Sequence, residues 1–164
     1  MGNLLIVIVL TVIVGFFLIF LIQKTSKPLP TAEEKIEIDS GLKSLNADQF
    51  FALCCALLEK MGLRIVDSFR SEDNEIDIEL ENPAPIIGGP LTAHLVLYPP
   101  GAQITGADVQ NFASELVGAR KSKGIFITTG FFSPEVATLP ELPPMEFIDG
   151  KRLAALLKQY EVSL

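Results

Sequence analysis

Cysteine is nearly absent from this 164-residue chain, and the two present, Cys54 and Cys55, are neighbours. Adjacent positions on a helix point about 100° apart, so these thiols do not readily pair with each other. With a single histidine, His94, and no second cysteine cluster, the ligand set argues against a zinc site. Two small apolar thiols are most simply helix core residues in a reducing compartment. Positive charge is also short. Thirteen Lys and Arg stand against twenty Asp and Glu, a net charge of −7, and such a balance argues against non-specific binding of nucleic acid or anionic lipid. Internal repeats and low-complexity tracts are absent.

Charge of either sign is missing from the side chains of the first 23 residues, and from Leu4 to Ile22 only Thr11 and Gly15 interrupt an aliphatic, Phe-rich run. Nineteen residues at about 1.5 Å each cover roughly 28 Å, the thickness of the hydrocarbon layer of a bilayer. A cleaved signal peptide would need a basic start, a shorter apolar core and a small-residue cleavage site, none of which is present. Residues 1–23 are therefore expected to form a transmembrane helix, with residues 4–22 in contact with lipid. Lys24 and Lys27 are the basic residues beside the span, which by the positive-inside rule places its N-terminus outside and the following domain in the cytoplasm. The lone Gly15 offers no small-xxx-small face for helix pairing. Residues 24–45 open with Lys-Pro-Leu-Pro and carry few large apolar groups, so they read as a juxtamembrane linker. Residues 46–164 leave room for one domain with one core.

Within that domain the pattern predicts a helix over 47–61, with Asn46 and Gln49 as a capping box, Gly62 past its end, and Phe50, Leu53, Cys54, Leu57, Leu58 and Met61 on its inner face. A strand over 63–69, a polar turn over 70–74 and a strictly alternating strand over 75–81 follow. In the latter Ile76, Ile78 and Leu80 face one way and Glu75, Asp77, Glu79 and Glu81 the other. Residues 92–98 read as a strand buried on both faces, ended by Pro99-Pro100-Gly101. Thr105 and Asp108 cap a second helix burying Val109, Phe112, Leu116 and Val117, ahead of the basic cluster Arg120, Lys121 and Lys123. Residues 124–129 read as an interior strand, Ser133-Pro134 as a helix start, 145–148 as a last strand, and Asp149 as the cap of a closing helix with Leu153, Leu156, Leu157 and Tyr160 inward. This order implies an α/β fold, a mixed sheet with helices on both sides.

The helix 50–62 ending in Met-Gly, the strand Glu75-Ile76-Asp77-Ile78, the segment from Lys123 to Pro134 and the turn Phe147-Ile148-Asp149-Gly150 with Leu153 resemble the Mrr-like domain of type IV restriction endonucleases, a branch of the PD-(D/E)xK nucleases. The resemblance covers 48–160 and implies the restriction-endonuclease-like fold. It also implies Mg²⁺-dependent DNA cleavage, with the metal held by an Asp on one strand and a Glu or Gln two residues before a Lys on the next, often helped by a Glu on the first helix. Hard oxygen ligands suit Mg²⁺, and a lysine can stabilise phosphate charge or orient water. Only the Asp carries over, at Asp77. The Gln-x-Lys falls on Val96-Leu97-Tyr98, or in a shifted register on His94-Leu95-Val96. No lysine lies between Lys60 and Lys121, and Phe51 stands at the helix-one Glu.

Two readings follow. In the first, the domain has lost the nuclease constellation, needs no cofactor and acts as a membrane-anchored binding module for DNA or for a protein, with DNA held weakly through Arg120, Lys121, Lys123, Lys151 and Arg152. In the second, Asp77 with Glu79 holds Mg²⁺ and a basic residue from elsewhere completes a tethered endonuclease. The plainer readings of the same residues are a solvated strand face for the carboxylates, a hydrogen-bonded core position for His94 and dipole-favoured helix-end cations for Arg120, Lys121 and Lys123.

Overall fold

The computed structural model describes residues 42, 44–86, 88–99, 101–121 and 123–163. The expected span at 1–23 and most of the linker lie outside the described residues. Among the described residues no helix is long and apolar enough to cross a membrane.

The elements that the described residues make up are α1 (Ala47–Lys60), β1 (Arg64–Glu72), β2 (Glu75–Asn82), β3 (Gly89–Val96), β4 (Gln103–Ile104), α2 (Gly106–Gly118), β5 (Lys123–Thr128), β6 (Phe131–Phe132), β7 (Met145–Ile148) and α3 (Gly150–Gln159), with a 3-10 turn at Pro134–Thr138. Five strands make a mixed sheet in the order β1-β2-β3-β5-β7. Its first three strands run antiparallel and the last three parallel, because β3, β5 and β7 are joined by crossovers through α2 and the 3-10 turn. A separate two-stranded parallel pair, β4 with β6, escaped the sequence pattern since each strand has two residues.

The pleat divides the core in two. Ile76, Ile78, Leu80, Leu91, Ala93, Leu95, Ile125, Ile127 and Ile148 meet Phe50, Leu53, Cys54, Leu57 and Leu58 of α1 and Leu153 and Leu157 of α3. Leu42 is buried in the same cluster and Leu45 packs against it, so the folded unit takes in the end of the expected linker. On the other face Val96 and Phe126 meet Val109, Phe112 and Leu116 of α2, with Ile104 and Val136. Gly124 is required under α2, since a Cβ there would lie 2.3 Å from the Leu116 side chain and 3.1 Å from Phe112. Burial pushes the Cys54 thiol well up; burial and the neighbouring Glu59 raise Cys55 to about 11, so both remain protonated thiols.

Both capping boxes form as expected, Asn46 with Gln49 and Thr105 with Asp108, and Asp149 accepts from the Arg152 amide. Helices α1, α2 and α3 end alike. The amide two positions past the C-cap returns to the carbonyl five residues back (Leu63 to Leu58, Lys121 to Leu116, Val162 to Leu157), which needs a left-handed residue in between. Gly62, Arg120 and Glu161 fill that position with φ of 89°, 54° and 52°.

Some expectations shift. β1 continues to Glu72, because the hairpin turns on Asp73 and Asn74 alone and carries the ladder through the polar residues assigned to a turn. β3 leaves the ladder at Val96, after which Leu97 bonds to Asn74 and Tyr98 to Thr129. Val117 is 65% exposed, one residue round the helix from the buried stripe of Val109, Phe112 and Leu116. Ser133-Pro134 opens a 3-10 turn, and the Ser133 hydroxyl caps nothing.

Candidate functional site

Asp77 lies on β2 directly across from His94 on β3, and both side chains point to the α2 face. Asp77 Oδ1 is 2.7 Å from His94 Nδ1. Its other oxygen, Oδ2, accepts from the Ser71 hydroxyl at 2.7 Å. Ser71 reaches it because the β1–β2 register slips between Arg70 and Glu72, leaving Ser71 as the extra residue of a bulge, a device that re-aims a side chain. The His94 ring is stacked on Phe112 (centroids 5.0 Å apart, 24° between planes) and edge-on to Phe126 at 4.8 Å. Its side chain is only 15% exposed. Burial alone would raise the Asp77 pKa, but hydrogen bonds from His94 and Ser71, with the attraction of His94, outweigh it and hold the carboxyl below its ordinary value.

Two residues along β2, Glu79 accepts from Lys121 Nζ at 2.8 Å, with the lysine side chain 16% exposed. The Schellman turn after α2 delivers Lys121 there, its backbone N–H bonded to Leu116. Glu81 is paired with Arg64 of β1. Three carboxylates of the acidic stripe, Asp77, Glu79 and Glu81, are therefore paired within the fold.

The donor set does not fit Mg²⁺. Both Asp77 oxygens are taken by protein hydrogen-bond donors and Glu79 by an ammonium, while the residue facing Asp77 across the strands is an imidazole, a poor partner for a hard cation. Among the described residues no group of three or more His, Cys, Asp or Glu converges to hold a metal ion. Val96 is buried against α2. Tyr98, at the expected lysine position, has its pKa raised by burial and by nearby Asp108, Glu75 and Glu72. Phe51 packs against the α1 and α3 side of the sheet, away from Asp77.

Three of the expected DNA-contacting residues are engaged with carboxylates, two of them with the same one. Lys121 holds Glu79, Lys123 holds Glu146 at 3.2 Å, and Arg152 bonds to Glu146 and to the Phe147 carbonyl. Arg120 and Lys151 make no ion pair among the described residues.

A family model for the Mrr-type catalytic domain, described as "Restriction endonuclease", matches residues 42–157. The chain belongs to the Mrr-type restriction endonuclease family. Solved structures agree on the fold of this Mrr-type domain. The DNA modification-dependent restriction endonuclease AspBHI aligns with TM-score 0.54 at 13% identity, covering 82% of this chain and 37% of its own. The MspJI restriction endonuclease, solved in complex with a 27-mer oligonucleotide, aligns with TM-score 0.52 at 16% identity, covering 81% and 35%. The Mrr-type chain thus spans little more than a third of these structural relatives. No curated protein matches it.

Proposed function

We propose that this Mrr-type domain is a membrane-anchored binding module that retains the nuclease fold without nuclease activity. The observation that carries the reading is the closure of Asp77: the one residue that fits the family's metal-binding pattern spends both oxygens on Ser71 and His94, with no lysine opposite. A nuclease must neutralise charge developing on the scissile phosphate, and here Tyr98 stands at the lysine position beside Glu72, Glu75 and Asp108 while the Lys121 ammonium is held by Glu79. The uncharged run before Lys24 and Lys27 supports an anchor with the domain on the cytoplasmic face. The pairing of Lys121, Lys123 and Arg152 leaves less positive charge free for a phosphate backbone and weighs against tight DNA binding there.

The test is a cleavage assay on the full chain in detergent micelles, with Mg²⁺ or Mn²⁺ and duplexes with and without modified bases. No cleavage is expected. Metal-dependent nicking that disappears in Asp77→Ala would overturn the reading in favour of a tethered endonuclease. For the topology, protease added to intact cells should leave the domain whole.

A further inference from the structure

We infer that side chains of this chain have taken over the metal's place, with His94 and Ser71 occupying the Asp77 carboxylate and Lys121 occupying Glu79. The inference rests on the non-nuclease reading and says how the metal was dispensed with. Three independent features of the backbone converge on it. The β2–β3 register sets His94 opposite Asp77, the β1 bulge turns Ser71 inward, and the turn ending α2 returns Lys121 over Glu79. Each supplies an N–H or O–H donor at 2.7 to 2.8 Å, so a cation approaching Asp77 Oδ1, Asp77 Oδ2 or Glu79 Oε1 meets an oxygen that already has a protein donor.

Packing makes the replacement hard to reverse in place. A divalent ion of this kind keeps several waters when bound by carboxylates, and therefore needs room. Phe112 and Phe126 hold the imidazole on two sides, so an ion entering on the His94 side of Asp77 must displace a packed ring. The domain thereby satisfies two carboxylates on a half-buried sheet face from its own sequence, and its folded state gains nothing from free metal.

The test uses Mn²⁺, whose free ion is counted by electron paramagnetic resonance, on the full chain in detergent micelles, with melting curves in Mg²⁺, Mn²⁺ or chelator. The native chain is expected to leave millimolar Mn²⁺ free and to melt at one temperature in all three. His94→Asp, which sets a second carboxylate across from Asp77, is expected to take up Mn²⁺ and to melt about 5 °C higher at a tenfold excess over its dissociation constant. If that variant does not fold, His94→Gln, which removes the imidazole and leaves a carbonyl oxygen facing Asp77, is expected to show weaker uptake of the same kind. Uptake by the native chain that Asp77→Asn abolishes would overturn the inference, as would metal blindness in every folded His94 variant. Cleavage assays on the same samples separate the failures: native metal binding without cleavage defeats the replacement alone, and cleavage defeats the non-nuclease reading as well.

Discussion

At the scale of single residues, the Asp77 to His94 contact links geometry to pH. The folded-state pKa of Asp77 lies below its ordinary value of 3.8, so the stabilisation is fully present above that value and is lost as pH falls through the lower folded one. Urea midpoints followed downward from neutral pH should therefore drop on the acid side, and Asp77→Asn should flatten that limb. His94→Ala should cost about 3 kcal/mol in urea unfolding, because it empties the space between Phe112 and Phe126 and strips a donor from a half-buried carboxylate. Arg120 and Glu161 hold a left-handed conformation that costs a non-glycine residue about 1 kcal/mol, so Arg120→Gly and Glu161→Gly should each raise stability by up to that amount in the same measurement. The sequence disclosed only part of this. Asp77 and the missing lysine were marked by the resemblance to the Mrr-like family, whereas the alternating strand by itself suggested only a solvated acidic face. Ser71 was hidden because its reach depends on a bulge, and Lys121 because its reach depends on a turn 42 residues beyond Glu79.

Among the elements, legibility followed periodicity and capping. Helices α1, α2 and α3 were marked by Asn46, Thr105 and Asp149 together with their inner-face spacing, and β2 by strict alternation. Asn46→Ala should accordingly cost about 1 kcal/mol. Where the sequence misled, a local signal lost to pairing: the polar residues after Phe69 stay in β1 because β2 offers them a ladder across a two-residue turn. The fit of α2 over β5 depends on Gly124, a requirement no periodic pattern could show. Gly124→Ala should destabilise by about 1 to 3 kcal/mol, as Leu116 and Phe112 must move to admit a methyl group, and Leu116→Ala in the same chain should recover part of that loss.

For the molecule as a whole, of the five cations expected to contact DNA, Lys121, Lys123 and Arg152 are already paired, and Arg120 and Lys151 are left to meet a phosphate backbone. Fluorescence titration with duplex DNA should show at most weak binding, with a log-log salt slope of about −1.8 for two contacts. A steeper slope would mean that the internal pairs open to admit DNA. Lys121→Glu should lower the melting temperature as well, because it sets like charges against each other at Glu79 on a half-buried face. The strand order β1-β2-β3-β5-β7 bears on how such a chain is made. Each strand of the five-stranded sheet lies beside the one that precedes it in the chain, so during synthesis the sheet grows at a single open edge, in the sequence in which segments leave the ribosome. No late strand has to be threaded between two that have already paired, and α1, made first, is present to cover one face while the sheet extends. Assembly can then keep pace with translation, exposing only one growing edge at a time.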